Sequence, residues 1–515
     1  MAASMVKSFL VYHLFWWMFL VIAVSSKPPN IIILLADDLG YGDLPSYGHP
    51  ISEAPVLEQL VAAGLRFTDF YSANPVCSPS RASLLTGRQP PRTGVWPGVF
   101  YPQSSGGLPL KEITIAETLK AKNYSTALIG KWHLGVGENN KYMPTNQGFD
   151  SYYGIPYTHD MCPCLKCFYP DQPCFYTCNT DVVACPLFKD TVVIEQPTDF
   201  TKLSNKYSEE ARTWIRKQAQ TNQPFFLLYA FHQTHNPMFS NKKFTNATER
   251  GPFGNMLLEM DWMVGEMLEE LRAHDLEEDT FIFFTSDNGP CLLRPYDGVG
   301  NAGLLKCGKG TTYEGGQRVP AIAYWPGHIK PGVTREIAST LDLLPTIANI
   351  AQVPLPSVVL DGLDMGNILF NHGRGLRDTL LYYATFPEPD IGVYAVRHKQ
   401  YKAHYLTSGN SNSGDENHDP DCRPSAGQKP HAPPLLYDLY QDASEQFVVD
   451  RKKHLDVYAL MYKIKVQNEA LMSWAESEIN KPSNSSLEPC CNPGCHPRPE
   501  CCVCKSKFTP AIMKV

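Results

Sequence analysis

Apolar residues fall into two patterns along this chain. Unbroken runs rich in Ile, Val, Leu, Phe and Tyr occur at Asn30–Ala36, Thr126–Ile129, Pro224–Phe231, Thr280–Thr285 and Val319–Trp325. Short runs without polar interruption predict strands buried on both faces. Between some of them, at Glu112–Lys122, Lys206–Gln220 and Asn255–His274, the apolar positions take helical spacing. Strands alternating with helices predict an α/β fold, a large, mostly parallel sheet covered by helices. From about Arg377 the texture changes. The runs "LLYYAT" and "GVYAVRHKQYKAHYL" predict antiparallel strands, "SGNSNSGDENHDPDC" a solvated loop, and Leu455–Ile479 a helix. This predicts a smaller C-terminal α+β domain with an antiparallel sheet, and no internal repeat is apparent.

Polar residues collect where the apolar runs stop. The first run ends in Asp37-Asp38, the third leads into His232 and His235, and the fourth ends in Asp287-Asn288. Sites in open α/β sheets form at the carboxyl ends of strands. Three strands delivering metal- or proton-competent groups to one edge predict an active site there, whereas any one Asp alone would be read as a turn or cap.

Composition narrows the setting. A chain of 515 residues exceeds what one core usually holds, which predicts a large domain plus a smaller one. A net charge of −7 argues against a nucleic-acid partner. Lys7, a short apolar run and Ser25-Ser26 form a secretory signal over residues 1–26. The apolar run, about 16 residues, is shorter than a spanning helix requires. The expected layout is therefore a signal at 1–26, a catalytic domain at 27–376 and the smaller domain at 377–515. Sixteen cysteines and glycosylation triplets at Asn123, Asn246 and Asn484 agree with export. Six cysteines cluster between Cys162 and Cys185 and six between Cys490 and Cys504, while Cys307 and Cys422 stand apart and could bridge two regions. The tail, with only His496 nearby, reads as disulfides and not as a zinc knuckle. If Cys77 is reserved for chemistry, one of the remaining fifteen stays unpaired, and isolated Cys291 is the candidate.

Asp37, Asp38, Asp287 and Asn288 offer only oxygen donors, which suit a hard divalent cation and not zinc. "GKWHLG" sets Lys131 and His133 just after a predicted strand, and "CGKGTTYEGG" sets Lys309 in a glycine-rich loop. That loop lacks the spacing of a nucleotide-binding P-loop. "CSPSR", residues 77–81, places a proline and an arginine after a lone cysteine, an escort that disulfide cysteines do not need.

"CSPSRASLLTGR" resembles the signature of the formylglycine-dependent sulfatase family. With "ADDLGYGDL" before it and "GKWHLG", "SDNG" and "CGKGTTYEGG" after it, the motifs stand in the family's order, and the similarity runs on through "FHQTHNP", "LDLLPT", "PPLLYDL" and the tail. The resemblance implies an alkaline-phosphatase-like core. It also implies oxidation of Cys77 to Cα-formylglycine during export, by a generating enzyme that reads Cys-x-Pro-x-Arg. Asp37, Asp38, Asp287 and Asn288 would then hold Ca²⁺, or Mg²⁺, against the formylglycine diol. Arg81, Lys131 and His133 would fix that group. Lys131, His235 and Lys309 would contact sulfate, with His235 and Lys309 near the leaving alcohol. Thr158 stands where the arylsulfatase pattern carries serine and keeps a hydroxyl.

The family's disulfide pattern implies Cys164–Cys178, Cys167–Cys174, Cys307–Cys422, Cys490–Cys502, Cys491–Cys504 and Cys495–Cys501. Cys162, Cys185 and Cys291 are additional to it, so Cys162–Cys185 would be a new bridge. The implied activity is hydrolysis of sulfate esters, a galactosyl 3-sulfate ceramide glycolipid and aryl sulfates, in the lysosome, by a homodimer or higher homo-oligomer. Glycosaminoglycan and steroid sulfates are alternative substrates. A phosphatase of the same superfold would use Ser or Thr with a His-rich zinc pair. A non-enzymatic binding protein would keep Cys77 unmodified.

Overall fold

The computed structural model describes residues 27–161, 185–196, 198–221, 223–293, 299–484 and 487. Residues 1–26, the cysteines from Cys162 to Cys178 and those of the tail, with the expectations attached to them, lie outside the described residues.

Ten strands form one sheet among the described residues. In chain order they are β1 (Asn30–Ala36), β2 (Leu65–Phe67), β3 (Ser125–Gly130), β4 (Ser151–Gly154), β5 (Leu187–Lys189), β6 (Val192–Glu195), β7 (Phe225–Ala230), β8 (Thr280–Ser286), β9 (Ala321–Tyr324) and β10 (Gly332–Thr334). Across the sheet the order is β10-β2-β9-β8-β1-β7-β3-β4-β5-β6. The five central strands, β8-β1-β7-β3-β4, run parallel. On one side β9 runs antiparallel to β8; on the other, β5 runs antiparallel to β4, and β6, antiparallel to β5, returns to the central direction.

β1 shows why an unbroken apolar run suits the middle of this sheet. All seven of its residues are buried. Alternation sends Ile32 and Leu34 to one face, in a core with α3 (Leu203–Ala219) and α4 (Gly251–Ala273). Ile31, Ile33 and Leu35 enter a second core on the other face, with α2 (Cys77–Thr86) and α5 (Leu343–Ile350). Helix α1 (Pro55–Ala63) adds Leu57 and Leu60 to the first core. Truncating a central side chain such as Leu34 to Ala would cost about 2–5 kcal/mol, because neither face can collapse into the gap.

A separate sheet of β11 (Thr379–Tyr382), β12 (Ala395–His398), β13 (Tyr401–Ser408) and β14 (Gln428–Asp438) is antiparallel throughout. Helix α6 (Leu455–Leu471) packs Tyr458 and Met461 against Val396, Ala403 and Leu436 of that sheet.

Two predicted helices are shorter than their sequence pattern. Within Glu112–Lys122 only Ile115–Leu119 is α-helical, opened by a Thr114 capping box and followed by a single 3-10 turn. The helix expected to reach Ile479 stops at Leu471, with Met472 extended. Beyond it, Ala475 and Glu478 donate their backbone N–H groups to Pro91 and Gly94. Docking on the first region replaces helical bonds there. The run Val319–Trp325 forms a strand over Ala321–Tyr324, but antiparallel to β8.

Candidate active site

The carboxyl ends of β8, β1, β7, β3 and β4 deliver Asp287-Asn288, Asp37-Asp38, His232–His235, Lys131–His133 and Thr158 to one edge of the sheet. Adjacent residues on a strand point to opposite faces. Asp38 escapes that rule by turning into the left-handed region at φ 62°, as does His133 at φ 61°. The turn at Asp38 is held because its N–H donates to Asp287 Oδ1 at 3.2 Å and the next N–H, of Leu39, to Ser286 Oγ at 2.9 Å.

Cys77 is the first residue of α2, a helix whose ten residues are all buried. This explains the local spacing. Pro79 sits in the first turn, where a helix has no use for its missing N–H. Arg81 lies one turn below Cys77 on the same face. From there its Nε donates to Asp287 Oδ2 at 2.9 Å and its Nη1 to the Lys131 carbonyl at 3.0 Å, while Nη2 forms ion pairs, 2.9 Å from Asp287 Oδ2 and 3.5 Å from Asp37 Oδ1. Ser80 Oγ donates to the Asp287 carbonyl.

Three carboxylates and three cations share this buried space. Lys131 Nζ meets Asp37 Oδ2 at 2.6 Å, and Lys309 Nζ meets Asp38 Oδ1 at 2.7 Å. Burial pushes the Asp37 carboxyl up, but Lys131, Arg81 and Lys309 outweigh it and hold the group below its ordinary value. Burial takes Asp38 the other way, to about 6, with Asp37 and Asp287 adding to the rise against Lys309. Burial also raises the Cys77 thiol, so an unmodified Cys77 is no ready thiolate nucleophile. Burial would lower Lys309, yet Asp38 beside it keeps its ammonium form strongly favoured. His133 and His235 are held well below the usual range, by burial first, and are neutral.

Hydrogen bonds assign the tautomers of those two rings. His235 Nδ1 faces the Asn236 carbonyl, so it carries the proton, and Nε2 accepts from Lys309 Nζ at 3.2 Å. His133 Nε2 donates to the Phe100 carbonyl at 3.0 Å, which leaves Nδ1 a buried acceptor without a partner. Asn288 donates to Asp38 Oδ1 at 2.7 Å, and its own Oδ1 is also unpartnered. The Thr158 hydroxyl is buried without a well-formed hydrogen bond.

One atom each from Asp37, Asp38, Cys77 and His235 lies within 4.8 Å of the others, a candidate metal site. This cluster of His, Cys and acidic residues shares Asp37, Asp38 and Cys77 with the set expected from sequence. Asp287 is paired with Arg81, and His235 lies beside the cluster. Cys77 Sγ itself is 3.8 Å from Asp37 Oδ1. Exposure among the described site residues is low and uneven. Asp37 and Asp287 are 0% exposed and Cys77 2%, against 6% for Lys309 and 7% for His235.

Several neighbours were not foreseen. Ser78 Oγ donates to the His133 carbonyl at 2.8 Å and accepts from Phe100 N–H at 3.1 Å, joining α2 to the His133 turn. His159 packs its ring against those of His232 and His235, with centroids 5.6 and 5.5 Å away. It adjoins Thr158 in "IPYTHD", the only sequence signal that pointed to it. Cys307 and Cys422 are joined by a disulfide, S–S 2.04 Å. Cys291 is a free buried thiol, raised to about 11 by burial and the nearby Asp38. Cys185 is disulfide-bonded, while Cys162, its expected partner, lies outside the described residues. Asn123 and Asn246 are exposed, whereas Asn484 is half-buried and donates to Glu138 Oε1 at 2.9 Å. No helix among the described residues is long and apolar enough to cross a membrane.

The chain matches a family described as Sulfatase over residues 29–353 and one described as C-terminal region of aryl-sulfatase over residues 376–504. It is 47% identical over 487 residues to arylsulfatase A of Homo sapiens, covering 93% of this chain and 96% of that protein. It is 39% identical over 401 residues to N-acetylgalactosamine-6-sulfatase of Rattus norvegicus, covering 76% and 74%. Among solved structures, the PsFucS1 sulfatase from Pseudoalteromonas sp. superposes with a TM-score of 0.75 at 27% identity, covering 87% of this chain and 91% of that one.

Proposed function

The chain belongs to the sulfatase family and is a sulfuric ester hydrolase of the arylsulfatase type, and from that premise we propose its nucleophile, metal and substrate. The nucleophile is Cα-formylglycine made from Cys77. The substrate is a sulfated glycolipid, a galactosyl 3-sulfate ceramide, with small aryl sulfates as assay substrates. The observation that carries the nucleophile is the placement of Cys77. It opens a wholly buried helix, 3.8 Å from Asp37 Oδ1, among three cations and with no disulfide partner.

Formylglycine, hydrated, supplies a hydroxyl that attacks sulfur and a second hydroxyl that lets the aldehyde re-form and sulfate leave. Because residue 77 is buried in the folded chain, the generating enzyme must act before α2 packs. Asp37, Asp38, Asp287 and Asn288 would hold a divalent cation, Ca²⁺ or else Mg²⁺. The residues fit one: three buried carboxylates supply hard oxygen donors, and Asn288 Oδ1 has no partner. Such an ion supplies positive charge to a sulfate ester that would otherwise repel a nucleophile.

The remaining steps belong to the chain's own side chains. Arg81 orients Asp287 and Asp37 below residue 77. His133 Nδ1 is the acceptor available for a hydroxyl proton on residue 77. Lys131, Lys309, His235 and Thr158 bind sulfate oxygens and stabilise the charge that develops in transfer. Lys309 holds a proton, hydrogen-bonded to neutral His235, where the departing alcohol can take it. By the same reading the chain is exported and glycosylated at Asn123, Asn246 and Asn484. It then reaches the lysosome and assembles as a homodimer or higher oligomer. An amino-sugar sulfate is a second reading, favoured by the match to an N-acetylgalactosamine-6-sulfatase. The kcat/KM ratio between a galactosyl 3-sulfate lipid and a sulfated amino-sugar fragment separates the two.

Cys77→Ala tests the nucleophile. The variant should be exported with a Tm within about 2 °C of the parent. Its turnover of an aryl sulfate should fall by at least about 10⁴-fold. Retention of a tenth of the parent activity would overturn the assignment.

A further inference from the structure

The loop that carries Lys309 is held from two regions of the molecule. From the large sheet's side, Lys309 N–H donates to the Pro290 carbonyl at 2.9 Å, and Gly310 N–H donates to that of Pro75 at 3.0 Å. From the C-terminal region, Ser413 Oγ accepts from Gly308 N–H at 3.0 Å and donates to the Lys309 carbonyl at 3.1 Å. Thr385 Oγ1 donates to the Gly310 carbonyl at 3.0 Å. Ser413 is 0% exposed. One buried hydroxyl thus pairs the backbone on both sides of the Lys309 Cα.

The segment bearing Ser413 is itself fixed to this loop. The Cys307–Cys422 disulfide ties the two chains of residues together, with Cα atoms 5.2 Å apart. Lys306 Nζ adds ion pairs to Asp419 at 3.2 Å and Asp421 at 2.9 Å. Contact is close enough that a Cβ on Gly310, at φ +88°, would stand 2.2 Å from Asn410 Cγ. Beyond the clamp, Lys309 Nζ reaches Asp38 Oδ1 at 2.7 Å and His235 Nε2 at 3.2 Å.

We propose that Ser413 is a positioning residue for sulfate-ester hydrolysis, supplied by the C-terminal region and acting through Lys309. The proposal rests on the reading that Lys309 contacts the transferring sulfate or the leaving alcohol. Removing the hydroxyl leaves a buried N–H and a buried carbonyl unpaired. The loop recovers those bonds only by shifting, which carries Lys309 Nζ away from Asp38 and His235.

A double-mutant cycle tests it with the full-length exported protein and an aryl sulfate. Ser413→Ala should lower kcat about 10–100-fold, the penalty for a displaced catalytic group, with KM changed by less than about threefold. In a Lys309→Met background the same change should cost less than about twofold, because nothing remains to be positioned. An equal loss in both backgrounds would make Ser413 a general structural residue and overturn the proposal. A Ser413→Ala enzyme with parental kcat would also overturn it. Parental activity in Lys309→Met alone would instead overturn the reading on which the proposal rests. Ser413→Gly runs the same cycle if the Ala variant is not exported. Where Lys309→Met turns over too slowly to read, protection by inorganic sulfate in a thermal shift supplies the same comparison.

Discussion

Two buried clusters of this protein are built from the same charges and do different work. At the sheet edge Asp37, Asp38 and Asp287 face Arg81, Lys131 and Lys309. At the seam between the two sheets Asp69, Glu314 and Glu445 face Arg318, Arg397 and Lys402. Seam pairing is dense. Lys402 Nζ lies 2.9 Å from Glu314 Oε1 and 3.1 Å from Glu445 Oε1, and Arg397 lies 2.6 Å from Asp69. Tyr71 donates to the far oxygen of Glu314 at 2.6 Å, His404 Nε2 meets Glu445 Oε1 at 2.6 Å, and Glu314 N–H donates to Glu445 Oε2 at 2.7 Å. Among these seam residues only His404 keeps a buried side-chain atom without a partner. The sheet-edge cluster keeps Asn288 Oδ1 and His133 Nδ1 unpartnered around Cys77. Charge inventory therefore does not distinguish a scaffold from a reaction site. Unspent hydrogen-bonding capacity does.

Removing one lysine from each cluster should separate them most sharply. Lys402→Met leaves two buried carboxylates without their shared cation. It should cost about 3–5 kcal/mol of stability, read as a lower Tm and lower export, with kcat of the surviving protein near parental. Lys309→Met should lower kcat by about 10²–10³-fold, with Tm falling by less than in Lys402→Met, because its site keeps two other cations. A swap of those two outcomes would break the comparison.

Acid provides a smaller effect at the seam. Burial pushes Glu314 up, but Lys402, Arg318 and Arg397 together hold it down at about 2, against an ordinary 4.5. A carboxylate depressed in the folded state contributes stability that is fully present above its unfolded value and is lost as pH falls through the folded one. Stability should therefore fall between about pH 4.5 and about 2, and Glu314→Gln should flatten that limb of a Tm-against-pH curve. An unchanged acid limb in the variant would assign the loss to other groups. The smallest effect concerns Thr158. Thr158→Ser should stay within about threefold of the parent in kcat/KM, whereas Thr158→Val, which loses the donor, should fall about tenfold. Equal values for the two would remove Thr158 from sulfate binding.

The two clusters were unequally legible in the sequence. Asp37-Asp38, His235 and Asp287-Asn288 stand where apolar runs end, so the central strands and their parallel order were enough to bring them together. Cys77 and Arg81 were legible as a spaced signature, and α2 gives that spacing its reason. The seam was hidden. Lys402 and His404 alternate along β13 as solvent-facing residues would, yet both are 0% exposed. Their partners Glu314 and Glu445 are remote in sequence and carry no local signal. Ser413 was hidden for a related reason. It lies in a polar stretch that reads as a solvated loop, and only the tertiary fold presses that stretch onto Lys309. The over-long helices at Glu112–Lys122 and Leu455–Ile479 fail likewise, because contacts outside each segment take over its backbone bonds.

Residue 77 is proposed to work as formylglycine. The most direct measurement is the mass of the peptide containing residue 77, taken from full-length protein exported by a eukaryotic cell and assayed for aryl sulfate turnover. A loss of about 18 Da against the cysteine peptide, the change from –CH₂SH to an aldehyde, is expected in proportion to activity across preparations. An unmodified thiol in a fully active preparation would contradict it.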